Sequence, residues 1–192
     1  DVLRCRGRFR KLTLHSKVVL TTTAVLILGG ALLLWLTEPI SFLAALFQSI
    51  TTRTAGFSTI DIGAMTNAGL LVLMILMVIG ASPGSTGGGI KTTTFFVLMQ
   101  EVRIIFSKRR LGAFKRRLPK ESLDKAATIT LLGAVVVFVG TFVLCVLEPQ
   151  LSFVQLLFEQ VSAYSTAGLT MGITPGLHAA SKAVLIATMF IG

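Results

Sequence analysis

Two stretches of this chain decide its fold: Thr51-Thr52-Arg53-Thr54-Ala55-Gly56-Phe57-Ser58-Thr59 and Ser162-Ala163-Tyr164-Ser165-Thr166-Ala167-Gly168-Leu169-Thr170. Both hold Thr-Ala-Gly followed by an apolar residue, at an offset of 112 positions. Each follows an apolar run of 11 residues, 40–50 and 151–161. At ~1.5 Å per residue such a run makes roughly 16 Å of helix, half of what a hydrocarbon core ~30 Å thick requires. That length fits a re-entrant half-helix. Ahead of the two runs stand Glu38-Pro39 and Glu148-Pro149, and ahead of those lie uncharged stretches long enough to span, 18–36 with 19 residues and 126–147 with 22. A third apolar element follows each loop, from 64 and from 177. The same order of parts twice over is an internal repeat, and each unit reads as helix, re-entrant loop, helix, entered and left from the cytoplasm.

Composition supports a membrane protein. Of 192 residues 53% are hydrophobic and 14% charged, where a soluble domain carries about 25% charged, and the mean hydropathy is +0.83. The formal net charge of +10 would suggest nucleic acid in a soluble chain, but placement argues otherwise. Six of the 18 basic residues lie in 1–17 and nine in 101–125, leaving Arg53, Lys91 and Lys182. Basic residues collect in the cytoplasmic connections between spans, which puts both clusters inside, where they meet phosphate headgroups or solvent. Nucleic-acid binding needs stacking aromatics among the charges, and the clusters hold only Phe9, Phe106 and Phe114. Cys5 and Cys145 are too few and too far apart for a disulfide framework or a metal cluster. Asp1 opens the chain with no n-region or cleavage site, so the first apolar run is not read as a signal peptide, and the chain reads as an excerpt that ends inside a helix.

The fold class expected is therefore all-α and integral to the membrane. Its parts are a basic cytosolic segment 1–17, a first unit 18–106 whose second helix breaks at 80–91, a basic cytosolic connection 107–125, and a truncated second unit 126–192. Irregular backbone at membrane depth is tolerated only where protein buries it or where it lines a wet cavity. A half-helix entering from outside directs its C-terminal carbonyls and negative dipole end to mid-membrane, which favours a cation. Gly56 and Gly168 let the backbone turn carbonyls inward, and stacked carbonyls can replace the hydration shell of a potassium-sized ion. Thr54 and Thr166 add carbonyls and hydroxyls. A plain turn explains one such loop; two, each after a half-helix and a Glu-Pro, argue for a cation pathway.

The strings Gln48-Ser49-Ile50-Thr51-Thr52-Arg53-Thr54-Ala55-Gly56-Phe57 and Gly80-Ala81-Ser82-Pro83-Gly84-Ser85-Thr86-Gly87-Gly88-Gly89-Ile90-Lys91 resemble the Trk/Ktr/HKT superfamily of potassium transporters, most of all the membrane subunits of bacterial Ktr systems. The resemblance covers nearly the whole chain. It implies four helix-loop-helix units around one pore, these residues being the third and fourth, in the bacterial cytoplasmic membrane. It further implies a homodimer of the full-length chain on a cytosolic nucleotide-binding ring, and potassium uptake open to sodium coupling, with no cofactor. Thr54, Ala55, Gly56 and Phe57, with Thr166, Ala167, Gly168 and Leu169, would form the selectivity filter. Each loop has one glycine instead of the two of Thr-Val-Gly-Tyr-Gly, so fewer ordered carbonyl rings are expected.

Between Asp61 and Lys91 stand 29 uncharged residues, yet 80–89 holds five glycines and Pro83, so a regular helix must break there. The stretch imitates a phosphate-binding loop, but Ile90 separates Gly89 from Lys91 where that motif needs Gly-Lys directly. In the resembled family the corresponding loop obstructs the pore and moves, which assigns Gly84, Ser85, Thr86, Gly87, Gly88, Gly89 and Lys91 to a gate; the alternative is a static kink. Lys91 is either functional at membrane depth or snorkels to the inner surface. Arg53, beside a cation site, is expected to point away and pair with Glu159 or Asp61 as a scaffold. Glu38 and Glu148 either concentrate cations at the outer mouth or cap helices, and the isolated His15 and His178 imply no metal. No nucleophile-base pair suggests an enzyme. The rival to a pore is a non-conducting membrane scaffold or assembly subunit.

Overall fold

The computed structural model describes residues 12–107, 112–113, 116–117 and 120–192. Most of the basic segment 1–17, with Cys5, and much of the basic connection 107–125 lie outside the described residues.

Helix α1 spans Leu14–Thr37 and begins at Thr13, whose hydroxyl accepts from the Ser16 amide. Glu38 ends it with φ −124° and ψ 144°, as a residue before proline must, because the ring of Pro39 clashes with an α conformation there. Ser41 then caps the short helix α2, Phe42–Thr51. The loop that follows contains a 3-10 turn at Ile62–Ala64 and leads to α3, Asn67–Val78. After a non-helical stretch comes α4, Thr92–Ser107. Two two-residue strands, β1 (Gly112–Ala113) and β2 (Arg116–Arg117), pair antiparallel in the connection, outside the two helical units. The second half repeats the first: α5, Lys120–Leu147; α6, Phe153–Ser165, opened by a capping box between Ser152 and Gln155; a 3-10 turn at Thr174–Gly176; and α7, Ala179–Ile191. The half-helices thus have 10 and 13 residues. α6 is longer than its apolar run because small residues continue it to Ser165.

α6 sits at the centre, against α3, α5 and α7, while α1 packs on α2, α3 and α4. The main core joins Leu34, Leu73, Met77 and Phe158, none of which is exposed, with Ala167 and Leu169 of the second loop. A satellite core joins Leu144, Leu156, Leu177 and Leu185. The loops are therefore clamped by packed helices.

Two helices, over Leu14–Thr37 and Leu123–Leu147, are long and apolar enough to cross a membrane. Only 28% and 22% of their most apolar windows is buried, so neither is a core helix. Phe138, Phe142 and Val146 project outward from α5, and Val25, Leu28 and Leu36 from α1. In water such a surface far exceeds what a monomer exposes; in hydrocarbon it is the proper solvent-facing side.

Candidate functional site: two Thr-Ala-Gly loops over a glycine-rich segment

Both loops carry an unusual backbone. Thr54 has φ 71° and Gly56 φ 79°; Thr166 has φ 51° and Gly168 φ 83°. Ala55 and Ala167 lie on the ordinary negative side. A φ sign that alternates from residue to residue belongs neither to a helix nor to a strand. For a β-branched residue positive φ is a genuine outlier, and such strain costs on the order of 1–3 kcal/mol wherever the surroundings hold it. Here it recurs at equivalent positions of both loops.

The holding groups are hydroxyls of the half-helices. Thr51 Oγ1 accepts from the Phe57 amide at 2.9 Å and donates to the Phe57 carbonyl at 2.6 Å. Ser162 Oγ donates to the Leu169 carbonyl at 2.6 Å. Backbone bonds from the Ala55 amide to Thr51 and from the Ala167 amide to Ser162 complete the two turns. The loops also touch one another: a Cβ built on Gly56 would lie 3.0 Å from the Ala167 carbonyl oxygen and 3.5 Å from Gly168 Cα. Glycine is required at both positions, by conformation and by this approach.

Directly against the threonines lies the segment 80–89. It is pinched at its base by a bridge between Ile79 and Ile90, with the Ile90 amide donating to the Val78 carbonyl at 2.9 Å. The Gly88 amide donates to Thr166 Oγ1 at 2.7 Å. A Cβ on Gly87 would come 2.7 Å from Thr54 Oγ1, and one on Gly88 2.9 Å from Thr166 Oγ1, so not even a methyl fits beneath either loop. Gly84, Ser85 and Thr86 form the exposed tip. Lys91 turns back onto the segment and donates to the Gly87 carbonyl, instead of reaching for the membrane surface.

Among the described residues Arg53 pairs with neither Glu159 nor Asp61, contrary to the expectation from sequence. Its guanidinium donates to the Gly80 carbonyl at 3.3 Å, because the end of α2 delivers it to the first residue of the glycine-rich segment. Glu159 is occupied elsewhere in its own loop. It is 5% exposed and accepts from the Met171 amide at 3.0 Å, from Thr170 Oγ1 at 2.5 Å and from Thr174 Oγ1 at 3.0 Å, which fixes the chain just past Gly168. Asp61 accepts locally from the Gly63 amide.

The Glu-Pro glutamates are ties rather than mouth charges. Glu38, 7% exposed, accepts from the amide and hydroxyl of Thr66 at 2.9 and 2.6 Å, and Thr66 is the cap of α3. Glu148, 1% exposed, accepts from the His178 amide and Ser181 Oγ, both at 2.7 Å, at the start of α7. The His178 amide, helped by the Ser181 hydroxyl, holds the Glu148 carboxyl below the usual carboxylate range. In each half the end of the first long helix is thereby fastened to the beginning of the helix after the loop. Another equivalent pair escaped the sequence reading: Gln48 and Gln160, at the 112-residue offset and without exposure. Gln48 donates to Ser58 Oγ at 2.7 Å and Gln160 to Thr188 Oγ1 at 2.9 Å. Their identity at the repeat offset was the available signal.

Comparison with known proteins matches the same span. Residues 9–192 fit the family model TrkH, a cation transport protein. The potassium/sodium uptake protein NtpJ of Enterococcus hirae is 40% identical, over 96% of this chain and 44% of its own length. The Ktr system potassium uptake protein B of Bacillus subtilis is 37% identical, over 100% of this chain and 46% of its own. The chain thus spans a little under half the length of these relatives. The crystal structure of the potassium transporter TrkH from Vibrio parahaemolyticus shares the fold, with a TM-score of 0.71 at 23% identity over 93% of this chain and 41% of that one. With its all-helical repeats and its two lipid-facing spans, the chain belongs to the TrkH family of cation transport proteins, membrane transporters and not enzymes.

Proposed function

We propose that the chain supplies two walls of a pore for potassium uptake across the bacterial cytoplasmic membrane, with Thr54–Phe57 and Thr166–Leu169 as filter loops and 80–91 as a movable obstruction below them. The observation that carries this reading is the doubled backbone pattern, positive φ at threonine and glycine around an ordinary alanine, in two loops that touch at Gly56 and Gly168. A backbone of alternating φ sign, in turns closed by hydroxyls of the half-helices, suits a site whose remaining carbonyls replace the hydration shell of a monovalent cation. Two relatives named for potassium uptake support the choice of ion. The name of the Enterococcus hirae relative, which includes sodium, supports sodium coupling. No cofactor takes part; the potassium ion is cargo.

The finer assembly is also a proposal: the full-length chain works as a homodimer, on a cytosolic nucleotide-binding ring that meets the basic connection 107–125. The Ktr resemblance supports it. The test of the pore itself is rubidium uptake by the full-length protein in cells stripped of their own potassium uptake. Flux above the empty-vector level is expected; correct membrane insertion without flux would leave a non-conducting scaffold as the better account.

A further inference from the structure

The segment 80–89 gives a donor to Thr166 and two of its carbonyls to cations. Its Gly80 carbonyl is taken by Arg53 and its Gly87 carbonyl by Lys91, while the Gly88 amide points at Thr166 Oγ1. The contact is close on every side. A Cβ at Gly88 would meet Thr166 Oγ1 at 2.9 Å, Thr166 Cγ2 at 3.0 Å and the Ser165 backbone at 3.1 Å. Thr166 itself sits at φ 51°, a conformation that a threonine keeps only under constraint. Arg53 and Lys91 thus bring two cations, and the Gly88 N–H a donor, to one short segment.

We propose that Thr166 is a latch whose hydroxyl oxygen is contested between the Gly88 amide and a cation at the lowest level of the filter, so that the transported ion releases the segment that blocks it. This rests on the filter-and-gate reading above. A dehydrated cation on that oxygen would lie against the positive end of the amide that now bonds to it, in a segment already bonded by Arg53 and Lys91. Like charges at such range repel most strongly where water is excluded. Occupancy and closure therefore oppose one another. By linkage the opposition is reciprocal: whatever factor the ion takes from closure, closure takes from ion binding. Thr166 acts here as a positioning residue of the gate, a role separate from the contribution of its carbonyl to the filter.

The test reads the position of the segment directly. Ala81, 9% exposed, lies inside the segment, and an Ala81→Cys variant of the full-length protein in an otherwise cysteine-free background reports its release. The measurement is the rate at which a membrane-impermeant thiol reagent labels that cysteine from the cytoplasmic side, at zero and at saturating potassium, in vesicles whose rubidium flux is measured alongside. Potassium should raise labelling about five-fold, the factor that one ordinary hydrogen bond supplies. Thr166→Ser, which keeps the hydroxyl, should retain that rise, whereas Thr166→Val should label quickly with or without potassium. Should Thr166→Val fail to fold, Gly88→Ala, which forces the segment off the hydroxyl, should give the same potassium-independent labelling. Labelling indifferent to potassium in vesicles that carry rubidium overturns the latch alone. Vesicles that carry none overturn the filter-and-gate reading, and the latch with it.

Discussion

Replacing Gly56 by alanine tests the filter most sharply, because two other glycines serve as controls of graded severity. Gly56, Gly168 and Gly84 have φ of 79°, 83° and 87°, so alanine at any of them carries a similar backbone penalty of about 1–2 kcal/mol. They differ in what the new methyl meets. At Gly84 nothing lies within 4 Å; at Gly168 the Gly56 Cα lies at 3.3 Å; at Gly56 the Ala167 carbonyl oxygen lies at 3.0 Å. An ordinary contact begins near 3.4 Å, and the neighbour here is backbone of the opposite loop. The methyl must therefore push that carbonyl by a few tenths of an ångström. If the whole backbone penalty is relieved by tilting the loop, the ion preference falls by at most roughly 5- to 30-fold. The assay is competition of sodium against rubidium uptake in the full-length protein, with thermal stability in detergent measured on the same variants. The stability loss should be smallest in Gly84→Ala, which carries the backbone penalty alone. Potassium preference should fall most in Gly56→Ala, less in Gly168→Ala and hardly in Gly84→Ala. Equal loss of preference in Gly84→Ala, or an unchanged preference in Gly56→Ala, would refute the reasoning.

Glu38→Ala should lower the stability of the solubilised protein by about 1–2 kcal/mol, since it removes the buried acceptor of the part-buried Thr66 amide and hydroxyl at the start of α3; Glu38→Gln, which keeps an acceptor oxygen, should lose less, and thermal unfolding by size-exclusion chromatography separates them. Deleting 84–87 should raise the maximal rubidium uptake rate and move half-saturation less, because the exposed tip goes while the binding level stays; an unaltered rate in a folded deletion favours a static kink. Permuting the order of residues 108–117 at constant composition should weaken co-purification with a soluble partner if docking depends on which residue stands where, whereas simple headgroup attraction, worth ~1 kcal/mol per basic residue, would leave co-purification as it was.

The repeat, the half-helices and the glycine-rich break could be read from the chain because each rests on a local property: run length, Glu-Pro punctuation and glycine content. Hydrophobic runs also located α1 and α5 within a few residues. What escaped depends on contacts across the fold. Nothing local to Arg53 says that its partner is the Gly80 carbonyl and not a carboxylate, since that follows from where the end of α2 meets the end of α3. The roles of Glu38 and Glu148 were open for the same reason, their partners lying 28 and 30 positions onward. Thr51 and Ser162 stood only as the first residues of the two loop stretches, and only the closed turns show them holding Phe57 and Leu169. The strain at Thr54 and Thr166 had no sequence signal, because threonine is among the residue types least expected at positive φ.

The glutamate ties carry a consequence for how such a protein is built. Each unit fastens its own first helix to the helix after its own loop through a carboxylate that never leaves the unit, so the pairing of those two helices is set within the unit. The connection between units is then relieved of the duty of setting that pairing. A cassette closed in this way can be copied and joined in tandem, each copy arriving with its loop already shaped and needing from its neighbours only a face to lean on.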